Sequence, residues 1–223
     1  VIIEPLPANN GLFILPPAFL QEIKRLCVEN GALLIFDEVI SGFRIGLGGM
    51  SKKLKIDPDI VTYGKIIGGG MPVGAIGAKR VIMEQLAPVG SVYQAGTLSA
   101  NPLAMIAGMA TLKHLSSTNY QRIERYSQKI VKLLEKWLTE YNQGEFRDLK
   151  ITSFQSLFWI APAKDLARAC DIPVNISERF LPLFTTLLQK GIYLAPNAYE
   201  VGFISLAHDE KVIKELEKRL WSK

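Results

Sequence analysis

Apolar residues at the start of the chain follow two different spacings in turn. Val1–Ile3 form a short apolar run, and Ala32–Phe36 form another that is too short for a helix. Between them, apolar side chains recur at helical spacing, at Phe19, Leu20, Ile23, Leu26 and Cys27. Two continuous apolar strands separated by an amphipathic helix are typical of a βαβ unit in a buried parallel sheet.

Acidic residues stand where these predicted strands end. Glu4 follows the first run, and Asp37 and Glu38 follow the second. In open α/β sheets, ligands bind at the carboxyl ends of the strands. The pattern therefore predicts a binding site at this edge of the sheet.

The following hundred residues continue the α/β pattern. A strand is predicted to lead through residues 57–63 to Lys65, and further elements are a strand at 72–77 and a helix at 79–86. Asn101-Pro102 starts a helix rich in Ala, Met and Leu, which we expect to be buried.

After this helix, longer and then shorter periodic segments predict a change of domain. Residues 117–145 are expected to form a connecting long helix, after a large α/β domain at 1–116. Residues 146–223 are expected to form a small α+β domain. Its predicted strands are 151–160, 191–195 and 201–207, and its predicted helices are 177–189 and 209–221.

Composition excludes several classes of function. Apolar residues make up 48% and charged residues 21%, which is globular composition. The net charge of +5 is spread along the chain without a basic block, so nucleic-acid binding is not expected. No apolar run approaches a membrane span, so no membrane partner is expected.

The cysteines and histidines predict neither disulfides nor a metal site. Cys27 and Cys170 lie far apart, which favours a reducing compartment, the cytoplasm or, in a plant, the plastid stroma. His114 and His208 have no neighbour at metal-ligand spacing, so no metal is expected. The chain opens with Val1 inside a strand-like run, and we expect it to be the C-terminal part of a longer protein.

Lys65 is the leading candidate for catalysis. A lysine that acts as a nucleophile must lose its proton, which burial and confinement encourage. Lys65 precedes Gly68-Gly-Gly70, which would let the backbone pass close to a flat ligand. The order is wrong for a P-loop, and the spacing is wrong for a dinucleotide fingerprint. An ordinary surface lysine beside a flexible loop remains the alternative.

Two further residues fit an anionic aromatic cofactor. Asp37 could keep a ring nitrogen protonated and so make the ring an electron sink, as pyridoxal phosphate enzymes require. Thr97, after Gly96 in a loop of small residues, could give a hydroxyl and an amide N–H to a phosphate. A helix-capping or salt-bridged Asp37 and an ordinary turn at Gly96-Thr97 remain the alternatives.

Taken together, the motifs resemble the class III pyridoxal-phosphate aminotransferases. The stretches that carry the resemblance are Glu4–Gly11, Ala32–Val39, Gly42–Arg44, Gly64–Ala75, Tyr93–Ala104 and Tyr199–His208. The resemblance implies a fold type I transferase, with a mostly parallel sheet in the large domain and a small α+β C-terminal domain. Within the family, the Gln94–Ser99 loop and the Phe203–His208 ending favour an aminomutase over ornithine- or aminobutyrate-type transaminases.

The resemblance also implies roles for individual residues. Lys65 would carry pyridoxal 5'-phosphate as a Schiff base and exchange protons, and the cofactor would alternate with pyridoxamine 5'-phosphate. Asp37 would pair with the ring nitrogen, Val39 would pack on the ring face, and Asn9 would lie near the ring hydroxyl.

Two implied contacts concern a second subunit and a small-molecule substrate. Gly96 and Thr97 would reach the phosphate of the partner's cofactor, which implies a homodimer. Glu200 would lie close to the substrate.

Three interpretations of the whole chain stay open. It is expected to be a piece of an aminomutase that lacks the family's N-terminal half and is inactive by itself. The alternatives are an ω-amino acid transaminase that uses 2-oxoglutarate or pyruvate, and a non-catalytic remnant of the fold.

Overall fold

The computed structural model describes residues 1–162, 166 and 168–222. The chain folds into two compact units. The first consists of Val1–Leu6 and Leu15–Ser117, and the second of Pro7–Ile14 and the chain from Thr118 onward. The predicted boundaries at 116 and 145 stay a prediction.

The first unit is built on a four-stranded sheet. Its strands are β1 (Ile2–Ile3), β2 (Ile35–Asp37), β3 (Ile60–Tyr63) and β4 (Ala75–Ala78), in the order β1-β2-β3-β4. The first three strands are parallel, and β4 runs antiparallel to β3. The predicted strand–helix–strand unit at the start of the chain is confirmed, because β1 and β2 pair in parallel on either side of a helix.

The first unit also contains four α-helices: α1 (Pro17–Glu29), α2 (Gly49–Leu54), α3 (Arg80–Met83) and α4 (Pro102–His114). A 3₁₀ turn at Lys65–Gly68 follows β3. Helix α1 covers the sheet with its apolar face, and its buried residues Leu20 and Cys27 pack with Leu34 and Phe36. This core fixes β2, and therefore the position of the acids at its end.

Helix α4 is largely exposed in the described chain, so the expectation that it is buried is wrong. Leu103 is 67% exposed, Ile106 60% and Met109 53%, whereas Ala104 and Gly108 are buried. The buried face is thus made of small residues, which let the helix approach a neighbouring backbone closely. The large apolar side chains point away from the unit's own core.

The small face of α4 packs against the 3₁₀ turn that begins at Lys65. A Cβ atom at Gly108 would overlap the carbonyl oxygen of Ile67. We expect Gly108→Ala to lower the free energy of unfolding by about 1–3 kcal/mol, as overpacking does. In an exposed helix the same change stabilises by about 1 kcal/mol, so urea denaturation would distinguish the two by sign.

Gly46→Ala provides the matched control for this prediction. Nothing lies within 4 Å of a Cβ atom built at Gly46. We expect an unfolding midpoint close to that of the unsubstituted protein. A Gly108→Ala variant that is as stable as Gly46→Ala would contradict close packing between α4 and the turn.

The described residues of the second unit form a three-stranded antiparallel sheet and three α-helices. The strands are β5 (Lys150–Phe154), β6 (Leu157–Ala161) and β7 (Gly202–Phe203), in the order β5-β6-β7. The helices are α5 (Ser117–Glu140), α6 (Ile176–Gln189) and α7 (Glu210–Leu220), with 3₁₀ turns at Tyr141–Gln143 and Ala169–Asp171. Two buried tryptophans tie it together: Trp137 Nε1 donates to the Leu220 carbonyl at 2.8 Å, and Trp159 Nε1 donates to the Ala198 carbonyl at 2.8 Å.

Two of the predicted strands in this unit differ in the structure. The single strand expected at 151–160 is a hairpin, because Gln155 adopts a left-handed φ of 54° and turns the chain. Residues 191–195 form no strand. Across the described residues, no helix combines the length and apolarity needed to cross a membrane.

Candidate functional site

Asp37 and Lys65 lie where two neighbouring parallel strands end, at the same edge of the sheet. Asp37 is the last residue of β2 and pairs with Thr62 of the parallel strand β3. Lys65 follows two residues after the end of β3 at Tyr63. Because neighbouring parallel strands end at one edge, the structure brings the predicted acid and the predicted lysine to adjacent strand ends.

The Asp37 carboxylate is held through one of its two oxygens. The Val39 N–H donates to Oδ1 at 3.0 Å, and the Thr62 hydroxyl donates to the same oxygen at 3.1 Å. Among the described residues, no hydrogen bond ends on Oδ2. A partly buried carboxylate oriented in this way keeps an acceptor for a protonated ring nitrogen, so Asp37 fits the predicted cofactor.

Lys65 occupies an unusual backbone conformation at the start of the 3₁₀ turn. Its φ is +49°, which is uncommon for a residue with a side chain and is often found at functional sites. In the described part of the chain its amine forms no ion pair. The side chain is exposed rather than confined, so this unit by itself does not provide the burial expected around a nucleophilic lysine.

Val39 lies beside the backbone that carries Lys65. A Cβ atom at Gly64 would lie 3.2 Å from the Cγ1 atom of Val39. The absence of a side chain at Gly64 therefore lets Val39 approach the residue before Lys65. Val39, Asp37 and Lys65 form one cluster at the sheet edge.

The glycine tract after Lys65 serves packing between elements. Gly69 has a φ of +58°, and a Cβ atom there would lie 2.5 Å from the Ala107 carbonyl oxygen and from Thr111 Oγ1. A Cβ atom at this position would therefore point at α4. Gly70, where nothing lies within 4 Å, keeps the free space expected for a flat ligand.

Gly96 and Thr97 lie on an exposed loop of the first unit that leads into α4. The Ser99 N–H donates to the Gly96 carbonyl at 3.0 Å, which forms a turn, and Asn101 then caps α4. Within the described residues, no hydrogen bond connects this loop to Asp37 or Lys65. The structure therefore does not join the predicted phosphate-binding pair to the cluster at the sheet edge.

Asn9 and Glu200 belong to the second unit, and both are exposed. The Gly11 N–H donates to the Tyr199 carbonyl at 2.8 Å, so the segment that carries Asn9 lies beside the segment that carries Glu200. The Glu200 N–H in turn donates to the Asn197 carbonyl at 3.0 Å. These two predicted residues thus share a neighbourhood within the second unit, whereas Asp37 and Lys65 belong to the first.

Sequence reasoning missed two residues of β3, Thr62 and Tyr63. Thr62 orients Asp37, and its hydroxyl in an otherwise apolar strand was the available signal. The ring of Tyr63, the last residue of β3, has its centroid 5.4 Å from that of Phe43. Burial, and then the charge of Glu38, raise the pKa of the Tyr63 hydroxyl, so it stays protonated at neutral pH.

The described residues contain no group of three or more His, Cys, Asp and Glu side chains that could hold a metal ion.

Comparison with known families shows that residues 1–150 match the family described as "Aminotransferase class-III". The chain belongs to the class III aminotransferase family. The expected resemblance is thereby confirmed over the residues that contain Asp37, Lys65 and Thr97.

Curated relatives of this chain carry a more specific name. The chain is 51% identical over 218 residues to glutamate-1-semialdehyde 2,1-aminomutase of Bdellovibrio bacteriovorus, and the match covers 96% of this chain and 50% of the relative. It is 47% identical to the enzyme of the same name from Leptospira interrogans, covering 97% of this chain and 49% of the relative. The chain thus spans about half the length of the curated relatives that it matches.

Solved structures confirm the predicted fold class. An ω-transaminase from Sphaerobacter thermophilus superposes with a TM-score of 0.87 at 30% identity, covering 99% of this chain and 50% of that chain. A glutamate-1-semialdehyde aminomutase from Pseudomonas aeruginosa in complex with PMP superposes with a TM-score of 0.80 at 20% identity, with the same coverage. This chain therefore has the α/β fold of the pyridoxal-phosphate-dependent transferases, with one mostly parallel sheet and one small antiparallel sheet.

Proposed function

We propose that this chain is part of a glutamate-1-semialdehyde 2,1-aminomutase and carries the cofactor-anchoring residues of that enzyme. The reaction transfers the amino group within glutamate 1-semialdehyde and yields 5-aminolevulinate for tetrapyrrole synthesis. The observation that carries the proposal is the placement of Asp37 and Lys65 at adjacent strand ends, in a chain 51% identical to an enzyme of that name. The 223 residues alone are proposed to be inactive.

The cluster at the sheet edge suits pyridoxal phosphate and pyridoxamine phosphate. When bound, the cofactor supplies a reactive carbonyl or amine and a ring that withdraws electrons from the substrate. Asp37 would accept the ring N–H and keep the ring charged, while Thr62 and the Val39 N–H keep that carboxylate oriented. The Val39 side chain would pack on the ring face.

Lys65 is proposed to hold the cofactor covalently and to move protons at the substrate. Its amine lies on a flexible four-carbon stem, which can reach more than one atom of a bound substrate. An amine that no side chain holds is free to turn toward the cofactor or the substrate, which suits both roles. In the described residues no carboxylate holds this amine.

The remaining predicted residues are proposed to act from other parts of the assembly. Asn9 would act near the ring hydroxyl, and Glu200 near the substrate. Gly96 and Thr97 would donate to the phosphate of the cofactor in the partner subunit. The exposed apolar side chains of α4, next to this loop, support a homodimer, because an apolar face of this kind is normally covered.

The proposal is tested on the complete enzyme, meaning the full product of the gene. If the gene encodes only these residues, the complete enzyme is a chimera that joins the first half of the Bdellovibrio relative to Val1. Glutamate 1-semialdehyde should give 5-aminolevulinate without any added oxo acid. Borohydride should attach the cofactor to Lys65, as read by peptide mass.

An ω-amino acid transaminase is the second candidate, and a specific observation favours it. The Sphaerobacter ω-transaminase superposes better than the Pseudomonas aminomutase, with TM-scores of 0.87 and 0.80. An absolute requirement for 2-oxoglutarate or pyruvate would support this candidate and reject the aminomutase. If neither reaction forms product and borohydride does not label Lys65, the chain is a non-catalytic remnant.

A further inference from the structure

Glu38 is a fully buried carboxylate beside the candidate cofactor site, and the roles proposed above leave it unused. Its exposure is 0%. It accepts hydrogen bonds from the Met50 N–H at 2.7 Å, the Ser51 N–H at 3.0 Å and the Ser41 hydroxyl at 3.1 Å, and also from the Ser51 hydroxyl. These bonds connect the residue after Asp37 to a segment twelve and thirteen positions further along the chain.

The backbone around Glu38 is shaped to hold this carboxylate. A Cβ atom at Gly49 would overlap the carboxylate oxygens of Glu38, and Gly49 has a left-handed φ of +58°. A glycine is therefore required for the 48–51 segment to close over the acid. An acid that served only as a surface charge would not need such a fit.

Glu38 is connected to Asp37 through the backbone. The Glu38 N–H donates to the Thr62 carbonyl at 3.0 Å, and the Thr62 hydroxyl holds Asp37. The other donor to Asp37 is the N–H of Val39, the residue directly after Glu38. A displacement of the Glu38 side chain would therefore shift both groups that orient the Asp37 carboxylate.

Glu38 is also connected to Lys65, through Tyr63. The Gly42 N–H donates to the Glu38 carbonyl at 2.8 Å, and a Cβ atom at Gly42 would overlap the Tyr63 ring. The turn that Glu38 closes thus packs directly on Tyr63, two residues before Lys65. The negative charge of Glu38 acts on the same residue, since it contributes to the raised pKa of Tyr63.

We propose that Glu38 is a positioning residue, which locks the turn after β2 and thereby aligns Asp37 and Lys65 for the cofactor. The proposal rests on the proposed function of the site. It assigns Glu38 an effect on the cofactor's binding and electronic state, beyond an effect on stability. A purely structural acid would change the melting temperature alone.

Glu38→Gln in the complete enzyme tests the proposal. The amide keeps the shape of the side chain, but its NH₂ group must face either the Met50 N–H or the Ser51 N–H, where two donors meet. We expect the dissociation constant of pyridoxal phosphate to rise about tenfold, the equivalent of one charge-assisted hydrogen bond. The visible spectrum of the bound cofactor should change in the same direction as in Asp37→Asn.

Asp59→Asn is the matched control, because it makes the same chemical change at the opposite end of the same strands. Asp59 accepts from the Leu34 N–H at 2.8 Å and from Lys24 Nζ at 3.0 Å. We expect this variant to lose thermal stability while its cofactor affinity and spectrum stay those of the unsubstituted enzyme. Glu38→Gln with an unchanged spectrum and affinity would overturn the proposal.

A second variant and a measurement on the unsubstituted enzyme complete the test. If Glu38→Gln does not fold, Ser41→Ala removes one donor to the carboxylate and should produce a smaller change in the same direction; an unchanged spectrum and affinity would overturn the proposal. The unsubstituted enzyme is measured first. If it neither binds pyridoxal phosphate nor labels at Lys65, the proposed function itself is rejected, a result distinct from any failure at Glu38.

Discussion

Replacing Lys65 with alanine in the complete enzyme is expected to lower turnover about 10⁴-fold, the upper end of what a positioned proton-transfer group contributes. The variant loses both the amine that holds the cofactor and the group that moves the proton. Borohydride should no longer attach the cofactor to the chain. Pyridoxal phosphate should still bind reversibly, because Asp37 and its donors Thr62 and Val39 are unchanged.

Lys79→Ala is the control for this prediction. Lys79 lies in the same unit, its side chain is 63% exposed, and its contact with Asp57 is a weak ion pair at 4.0 Å. We expect turnover and borohydride labelling close to those of the unsubstituted enzyme. A Lys65→Ala variant that keeps more than a tenth of the original turnover would place the reactive lysine elsewhere.

The strand ends of the first unit could be predicted from sequence because local pattern specifies them. A short apolar run closed by acids identifies β2 and its carboxyl end without any knowledge of its neighbours. The same holds for Asn101-Pro102, where a capping side chain and a proline start α4 at the predicted residue. Asp37 and Lys65 were found in this way, each from its own segment.

The environment of those residues could not be predicted, since it depends on contacts between distant segments. Asp37 is held by Thr62, 25 residues away, and Glu38 by Met50 and Ser51. The expected burial of α4 is wrong for a related reason. Apolar composition shows that a helix avoids water but does not show which chain covers it, and here its small face turns to the unit's own backbone.

The glycines after Lys65 illustrate the same distinction. A run of three glycines indicates that the backbone needs freedom or close approach, and the sequence alone suggested a ligand. In the structure, Gly69 packs closely against the carbonyl group of Ala107 in α4. A helix packed on the turn after Lys65 therefore restrains the backbone of the residue on which the proposed chemistry depends.

Asp37→Asn is expected to lower turnover about 10²-fold to 10³-fold, comparable to the loss of one aimed electrostatic partner at a reacting group. Two donors, the Val39 N–H and the Thr62 hydroxyl, meet at Oδ1, so the amide oxygen takes that position. The NH₂ group then occupies the place of Oδ2 and points a donor at the ring nitrogen. A donor cannot accept the ring N–H, and the ring stays uncharged and withdraws electrons less well.

Steady-state kinetics and the visible spectrum of the bound cofactor measure this effect, and Asp59→Asn controls for the loss of a carboxylate in the same sheet. Labelling of Lys65 by borohydride should persist in Asp37→Asn, because its amine is unchanged. That combination, slow turnover with intact labelling, separates the roles of the two residues. Equal turnover in Asp37→Asn and Asp59→Asn would remove Asp37 from the site, since the two variants differ only in which end of the strands loses its charge.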